Sequence, residues 1–306
     1  MIIYLAPASR ESFSGGVRKL YDHVDILNGA GMHARIVRSD IVDPVTLSPK
    51  DLIVVPEIYG DLLANLAPNV AKVSFNQNAY NSWTDVSDPE RHPYLNTPSL
   101  LGVLTVSDDN KAFLEAIFPE LAVERYRPCI NVDNRFTCGP WPRAKKLCYF
   151  ARKRSEISTV VLGALYARGR FEGWQVVCLD GMTDDEIAKH YRTSAIFLSF
   201  SKLEGLGAPP LEAMLSGARV VGFNGLAGSE YSSRFASVPE EQITEFLYRV
   251  DCMMTDVEFG LSDYDVNSII NNAKEIDDLY SQANEERSVV ELMKGYSDRA
   301  RSLLLP

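Results

Sequence analysis

Short apolar runs alternate with helical segments along almost the whole chain, and this alternation constrains the fold more than any other feature. Runs with strand character occur at residues 1–6, 34–38, 51–55, 72–75, 102–106, 147–150, 175–179, 195–200 and 219–223. Segments with helical spacing of apolar residues separate most of these runs. Parallel strands need long crossover connections, and strands covered on both faces are apolar throughout. The pattern therefore predicts an α/β fold whose mostly parallel sheets are covered by helices.

The alternation is interrupted once, between residues 125 and 147. This segment, RYRPCINVDNRFTCGPWPRAKKL, contains three prolines, many cations and few long apolar runs. An irregular, proline-rich segment between two regular regions indicates a linker. We therefore predict two consecutive domains, at residues 1–140 and 141–290, followed by a C-terminal helix at residues 291–306.

The composition argues against several classes of protein. The 306 residues are 46% hydrophobic, and the net charge of −10 gives no general attraction to nucleic acid. Five scattered cysteines without a CxxC or Cys/His cluster predict neither a zinc site nor a disulfide framework. Reduced cysteines, and a start, MIIYLAPASRES, without a basic leader or cleavage site, predict a cytoplasmic protein. We find no apolar run long enough to span a membrane.

The stretch FSKLEGLGAPPLEAMLSGARVVG, residues 200–222, follows a predicted strand and carries the most specific pattern in the chain. Gly205 and Gly207 allow backbone conformations that other residues avoid, and the proline pair at residues 209–210 suits the first turn of a helix. Ligands of α/β sheets bind just beyond the carboxyl ends of strands. A glycine loop that opens a helix offers free N–H groups to an anion such as phosphate.

Two carboxylates, Glu204 and Glu212, flank this glycine loop. Carboxylates accept hydrogen bonds and do not donate them, so they suit ligands that are rich in hydroxyl groups. A phosphate-binding loop between two acceptors of hydroxyl hydrogen bonds is what a nucleotide sugar requires. The segment therefore predicts a nucleotide-sugar site.

The same stretch resembles the E-x7-E motif of retaining GT-B glycosyltransferases, in particular family 4, also called glycosyltransferase group 1. The resemblance implies an α/β GT-B fold: two Rossmann-like domains that face a central cleft, with a last helix that often crosses back to the first domain. It also implies that Glu212 binds the ribose hydroxyls and that Glu204 faces the donor sugar or its phosphate as a catalytic residue. Gly205, Leu206 and Gly207 would lie near the diphosphate.

Two further segments resemble donor-binding elements of the same family. In YFARKRSEIS, residues 149–158, Arg152 matches a catalytic arginine on the diphosphate, and Lys153 or Arg154 stands near the position of a family lysine. A cation there would stabilise the charge that develops on the leaving diphosphate. In FSGGVRKL, Gly15 and Gly16 match the glycine pair between the first strand and helix, which implies contact with the donor phosphates or the acceptor.

The first domain departs from the family at one position. Many members carry a histidine after a middle strand, where this chain has Asn76, Gln77 and Asn78. These amides can orient sugar hydroxyls on the acceptor side, but they cannot transfer a proton. The leaving phosphate can accept the acceptor's proton in a retaining same-face reaction, so the departure leaves the implied reaction class unchanged.

Together these features predict a retaining hexosyltransferase. It would move a sugar from a nucleotide-diphosphate sugar to a saccharide or lipid-linked saccharide, in the assembly of bacterial polysaccharide or lipopolysaccharide. The resemblance implies no cofactor and no metal, no nucleic acid partner, and peripheral contact with the inner membrane when the acceptor is lipid-linked. The donor base, the sugar, the acceptor and the oligomeric state stay open.

Two alternatives belong to other classes. A non-catalytic nucleotide-sugar-binding or partner subunit with the same fold would also lack the histidine, and donor turnover separates it from an enzyme. A nicotinamide-dependent oxidoreductase is disfavoured, because no G-x-G-x-x-G follows the first strand.

Overall fold

Two parallel β-sheets organise the chain, one in each of two units. The structure, a computed structural model, describes residues 1–11, 15–84 and 86–303. The first unit is formed by Met1–Pro128 with Ala283–Pro306, and the second by Cys129–Gln282. In each sheet every paired strand runs parallel to its neighbour. The α/β class predicted from the alternation is therefore confirmed for both units.

The first unit contains a six-stranded sheet in the order β2-β1-β3-β4-β5-β6. Its strands are β1 (Ile2–Ala6), β2 (Ala34–Arg38), β3 (Leu52–Pro56), β4 (Ala71–Asn76), β5 (Leu100–Thr105) and β6 (Val123–Arg125). The three central strands β1, β3 and β4 are buried at every residue. The continuous apolar sequences of β1 and β3 predict this burial on both faces, whereas β4 also buries the polar residues Lys72, Ser74 and Asn76.

Helices and short 3₁₀ segments connect these strands. The helices are α1 (Gly15–Gly29), α2 (Gly60–Asn65), α3 (Pro93–Asn96) and α4 (Asp108–Ile117), and the 3₁₀ segments are Pro44–Thr46, Ala79–Trp83 and Pro89–Arg91. Ser107 caps α4, because its side chain accepts a hydrogen bond from the backbone N–H of Asn110.

The second unit contains a five-stranded sheet in the order β11-β10-β9-β7-β8. Its strands are β7 (Lys146–Tyr149), β8 (Gln175–Cys178), β9 (Ile196–Ser201), β10 (Arg219–Asn224) and β11 (Ala236–Val238). Its helices are α5 (Ser155–Ala167), α6 (Asp184–Thr193), α7 (Ala208–Leu215), α8 (Ile243–Phe259) and α9 (Asp263–Leu279), with a 3₁₀ segment at Ala227–Arg234. Threonine and glutamate form a capping box at the start of α6.

The segment between the two sheets packs with the second unit. The indole N–H of Trp141 donates to the carbonyl of Gly217 at 3.2 Å, and the backbone N–H of Gly139 donates to Ser216 at 3.1 Å. The unit boundary therefore lies at residue 128, whereas the sequence analysis places residues 129–140 in the first domain. Long-range hydrogen bonds decide this assignment, and the local sequence does not encode them.

The last helix, α10 (Gln282–Ser302), lies within the first unit from Ala283 onward. It begins at Gln282, whereas the sequence predicts a helix from residue 291. Within the residues that the structure describes, no helix combines the length and the apolar composition that a membrane span requires.

A buried ion pair attaches α10 to α1. Glu285 is 2% exposed, and its carboxylate accepts a hydrogen bond from the Lys19 ammonium group at 2.7 Å. The imidazole of His23 lies 3.8 Å from the same carboxylate, packed against the rings of Tyr4 and Tyr126. Burial lowers the pKa of His23 to about 3, so the imidazole is neutral near pH 7. The charge of Glu285 is therefore balanced by Lys19.

We expect Glu285→Ala to lower the free energy of unfolding by about 2–4 kcal/mol, because it leaves the mostly buried Lys19 ammonium group with only the more distant carboxylate of Asp22, at 3.8 Å. Urea denaturation followed by circular dichroism measures the change. Glu291→Ala, at an exposed position of the same helix, is the matched control and should change stability by less than about 0.5 kcal/mol. Equal effects of the two substitutions would contradict this account of the α10 contact.

Candidate functional site

The last residue of the loop between β9 and α7 has a backbone conformation that only glycine adopts easily. Gly207 has φ 81° and ψ 61° and forms the N-cap of α7. A Cβ atom at this position would lie 2.6 Å from the hydroxyl oxygen of Tyr231. At the other end of the loop, the backbone N–H of Glu204 donates to the carbonyl of Gly225 at 3.0 Å. Both the dihedral angles and the close packing therefore require glycine at residue 207.

Tyr231 anchors this loop, and the sequence analysis missed it. Its buried hydroxyl lies 2.9 Å from the carbonyl oxygen of Leu206 and 2.7 Å from that of Gly207. Burial raises the pKa of Tyr231 well above its ordinary value, so the hydroxyl keeps its proton and donates it to these carbonyls. The available signal was the glycine-rich sequence GFNGLAGSEY after β10, in which this tyrosine is the last residue.

The two predicted carboxylates come together around the same tyrosine. Glu204 and Glu212 are both half-buried, one in the loop and one in α7. After burial, nearby negative charges raise the pKa of Tyr231, and these include both carboxylates. The charge of Glu212 also raises the pKa of buried Tyr191 on α6, second to burial. The fold therefore gathers the acids that the sequence spaces eight residues apart.

The loop between β7 and α5 brings cations to this pair. The ammonium group of Lys153 lies 3.1 Å from the carboxylate of Glu204. The side chain of Arg152 is 57% exposed, and its guanidinium lies over the ring of Phe150 at 4.6 Å. The carboxylate of Asp180 holds the loop by accepting from the backbone N–H groups of residues 151 and 152. The guanidinium of Arg152 also lies 3.7 Å from the carboxylate of Asp180.

Arg154, predicted as a third donor-binding cation, has a structural role. Its side chain is 8% exposed, pairs with Glu240, and donates to the carbonyl of Ser201 at 2.9 Å. Its guanidinium also lies over the ring of Phe223 at 4.7 Å. These contacts fix the β7–α5 loop against the end of β9, and they direct Arg154 into the protein.

The glycine pair of the first unit opens α1. Gly15 and Gly16 are the first two residues of this helix, and residues 12–14 of the same motif lie outside the described residues. The amide of Gln77 donates to the carbonyl of Gly16 at 2.9 Å. A Cβ atom at Gly16 would lie 2.7 Å from the amide oxygen of Gln77, so a larger residue would displace this side chain. Gln77 thereby joins the end of β4 to the start of α1.

The two asparagines beside Gln77 also have structural partners. Asn76 is completely buried, and its amide donates to the hydroxyls of Ser82 at 2.7 Å and Tyr94 at 2.9 Å. Asn78 caps the following 3₁₀ segment by accepting from the backbone N–H of Tyr80 at 3.1 Å. Asn76, predicted to face an acceptor, therefore organises the loop from inside.

A carboxylate that the sequence analysis missed lies beside these amides. Glu57 follows β3 directly, in the sequence VVPEIYG, and it is half-buried. Burial raises the pKa of Glu57 to about 7, although the backbone N–H groups of Gln77, of Glu57 itself and of Asn78 donate to its carboxyl group and oppose the rise. The sequence feature that could have identified Glu57 is its place directly after a fully apolar strand, at the carboxyl end where ligands of α/β sheets bind.

The loop anchored by Tyr231 predicts opposite effects of two glycine substitutions. We expect Gly207→Ala to lower the free energy of unfolding by about 1–3 kcal/mol, because of its positive φ and the tyrosine contact. Gly163→Ala is the control: Gly163 lies inside α5 with no atom within 4 Å of a new Cβ, so alanine should stabilise by about 0.5–1 kcal/mol. Urea denaturation measures both changes. Changes of the same sign would contradict the role assigned to Gly207.

The raised pKa of Glu57 predicts a specific dependence of stability on pH. The folded-state pKa of about 7 lies above the ordinary 4.5, so this group's contribution is fully present below pH 4.5 and is lost as the pH rises through 7. The loss amounts to at most about 3 kcal/mol. Glu57→Gln should not show it, so the stability difference between wild type and variant should change across pH 4.5–8. Other groups, including His23, titrate in both proteins and cancel. Parallel stability curves would contradict the raised pKa.

Among known proteins, the chain is similar to glycosyltransferases. It is 27% identical over 222 residues to the alpha-1,6-glucosyltransferase of Actinobacillus pleuropneumoniae serotype 7, a match that covers 68% of this chain. The match spans 66% of that enzyme, just under two thirds of its length. No protein-family model matches the chain.

Solved structures of glycosyltransferases share the fold. Sucrose-phosphate synthase from Thermosynechococcus elongatus superposes with a TM-score of 0.67 at 13% identity, covering 98% of this chain and 99% of that one. WaaG, a glycosyltransferase involved in lipopolysaccharide biosynthesis, superposes with a TM-score of 0.60 at 10% identity, covering 94% and 98%. The predicted resemblance to GT-B glycosyltransferases is thus confirmed, and the fold is GT-B.

Proposed function

We propose that this GT-B chain is a retaining glycosyltransferase that moves a hexose from a nucleotide-diphosphate sugar to a hydroxyl of a saccharide or lipid-linked saccharide. The observation that carries the proposal is the loop before α7. There Tyr231 fixes a glycine turn between two carboxylates, Glu204 and Glu212, and Lys153 lies against the first of them. This combination of hydroxyl acceptors, cations and free N–H groups suits a sugar joined to a diphosphate.

The second unit would bind the donor. The backbone N–H groups of the turn Gly205–Gly207 would donate to the diphosphate, with Arg152 and Lys153 neutralising its charge. Pro209 and Pro210, in the first turn of α7, have no N–H to add. A phosphate would compete with Glu204 for Lys153, which frees the carboxylate to accept hydrogen bonds from the sugar. Glu212 would accept from the ribose hydroxyls. These groups supply the charge balance without a resident metal ion or another cofactor.

Arg152 and Glu204 would act on the reacting sugar. Transfer breaks the bond between the anomeric carbon and the leaving phosphate oxygen, and the acceptor oxygen bonds to the same carbon on the same face. The acceptor's proton passes to the leaving phosphate. Arg152 would stabilise the negative charge that develops on that phosphate, and Glu204 would hold the donor sugar and the positive charge that grows on its ring.

One structural neighbour supports the biological role that we propose. The structural neighbour WaaG is involved in lipopolysaccharide biosynthesis, which supports a role in bacterial surface polysaccharide assembly. We extend the proposal to a cytoplasmic location. A lipid-linked acceptor would bring the enzyme to the cytoplasmic face of the inner membrane. The net charge of −10 gives no general attraction to anionic lipid, so the acceptor itself would provide that contact.

A screen of nucleotide sugars tests the proposal. We expect one donor to raise the melting temperature of the purified protein and to be hydrolysed slowly without acceptor. A donor at 100 times its Kd adds about 2.7 kcal/mol of stability. Glu212→Gln should abolish most of that shift, whereas Glu172→Gln, at an exposed position of the same unit, should keep it. Arg152→Ala should reduce turnover by roughly 100-fold or more.

Two outcomes would count against the enzyme. Stabilisation by a donor without release of nucleotide, even with candidate acceptors present, would favour a non-catalytic nucleotide-sugar-binding subunit. The structural roles of Asn76, Gln77 and Asn78 make this second function worth testing, because they leave the acceptor side with fewer uncommitted groups than the sequence suggested. No response to any nucleotide sugar would contradict both functions.

A further inference from the structure

A cavity of about 530 Å³ lies within the first unit, beside the carboxyl end of β3. Its walls are the loop from β3 into α2, the chain around the 3₁₀ segment Ala79–Trp83, and the start of α3. Glu57 lines it at the strand end. This volume lies within the range of small-molecule sites, and its position is where open α/β sheets bind ligands.

The charges around the cavity disfavour an anion. Among the described residues, three carboxyl groups line it, those of Glu57, Asp61 and Asp88, and one guanidinium, that of Arg91. Arg91 already lies 3.4 Å from Asp88. The imidazole of His92 adds no positive charge near pH 7, because burial lowers its pKa. Asp61, together with Glu57 above its pKa of about 7, leaves these groups net negative, so a phosphate or carboxylate ligand would meet net repulsion.

The same groups suit a ligand with many hydroxyls. Carboxylates accept hydrogen bonds from sugar hydroxyls, and Tyr59 adds an aromatic ring with a polar end to the lining. Ile58 and Pro93 provide apolar surface for the carbon face of a sugar ring. The lining thus combines apolar surface with a few placed polar groups, as small-molecule sites generally do.

Glu57 is held in place before any ligand binds. Backbone N–H groups of residues 77 and 78, at the end of the neighbouring strand β4, donate to its carboxyl group. A carboxyl group fixed in this way loses little freedom on binding a hydroxyl, which favours affinity and selectivity. Its pKa near neutrality also allows the protonated form to donate to a sugar oxygen.

We propose that this cavity binds an uncharged saccharide, the acceptor of the transfer described above, and that Glu57 is a specificity-determining residue for it. Only the identification of this saccharide as the acceptor rests on the proposed glycosyltransferase function. The proposal names the chemical class of the acceptor: a neutral sugar, and not a sugar phosphate, binds in this cavity. The hydroxyl groups of that sugar are recognised by the carboxyl groups of Glu57 and Asp61.

The test measures glycan binding without any nucleotide sugar. The full chain is applied to an array of neutral oligosaccharides and their phosphorylated counterparts, and hits are quantified by saturation-transfer NMR and calorimetry. We expect neutral glycans to bind at least about tenfold more tightly than their phosphorylated counterparts. Glu57→Gln should weaken that binding about tenfold, the effect of losing a hydrogen bond to a charged group.

Matched variants keep the test decisive. Glu90→Gln removes an exposed carboxylate from the neighbouring 3₁₀ segment, outside the cavity lining, and should bind like wild type. Asp61→Asn changes an exposed cavity residue, so it serves if Glu57→Gln does not fold. Preference for phosphorylated glycans, wild-type affinity in both cavity variants, or no binding to any glycan would overturn the inference.

The donor screen separates this inference from the proposed function. If a nucleotide sugar raises the melting temperature but no glycan binds, the cavity assignment is contradicted and the proposed glycosyltransferase function is not. Glycan binding that depends on Glu57, with no response to nucleotide sugars, would support the saccharide site and remove the transfer reaction.

Discussion

Parallel strand direction is the constraint on which the rest of this structure depends. In each sheet all strands run the same way, so the segments that follow them emerge at one edge. In the second unit this brings the loop after β7 against the loop after β9, where Lys153 meets Glu204. In the first unit the end of β3 meets the end of β4, where backbone N–H groups hold Glu57. Both candidate sites are products of sheet topology.

Two anchoring side chains fix the backbone at the glycine segments of the two units. The glycine turn before α7 is held by the Tyr231 hydroxyl, and the start of α1 is held by the Gln77 amide. At Gly207 the positive φ and the buried Tyr231 hydroxyl together exclude a Cβ atom. Both side chains therefore act by holding backbone carbonyls, and the fixed backbone positions the neighbouring carboxylates.

The sequence predicts the periodic parts of this protein well and the tertiary parts poorly. Strands such as β3 and β9 are visible because burial on both faces makes their sequences mostly apolar. The acids around the glycine turn are visible because their loop and helix are local in the chain. The roles of Tyr231 and Arg154 were missed because their partners lie more than 20 residues away in sequence. Likewise the unit boundary and the start of α10 depend on packing partners that a local pattern does not specify.

The pairing of Lys19 with Glu285 has a consequence for how the chain is made. The two residues are separated by 266 positions, and the whole second unit lies between them. At roughly 5–20 residues per second, a ribosome would need on the order of 13–53 s to synthesise that interval. During this time the surface of α1 that receives α10 is exposed in the nascent chain. The first unit is therefore the first to begin folding and the last to be completed. The surface around Lys19 is the one that a chaperone could bind for the longest time.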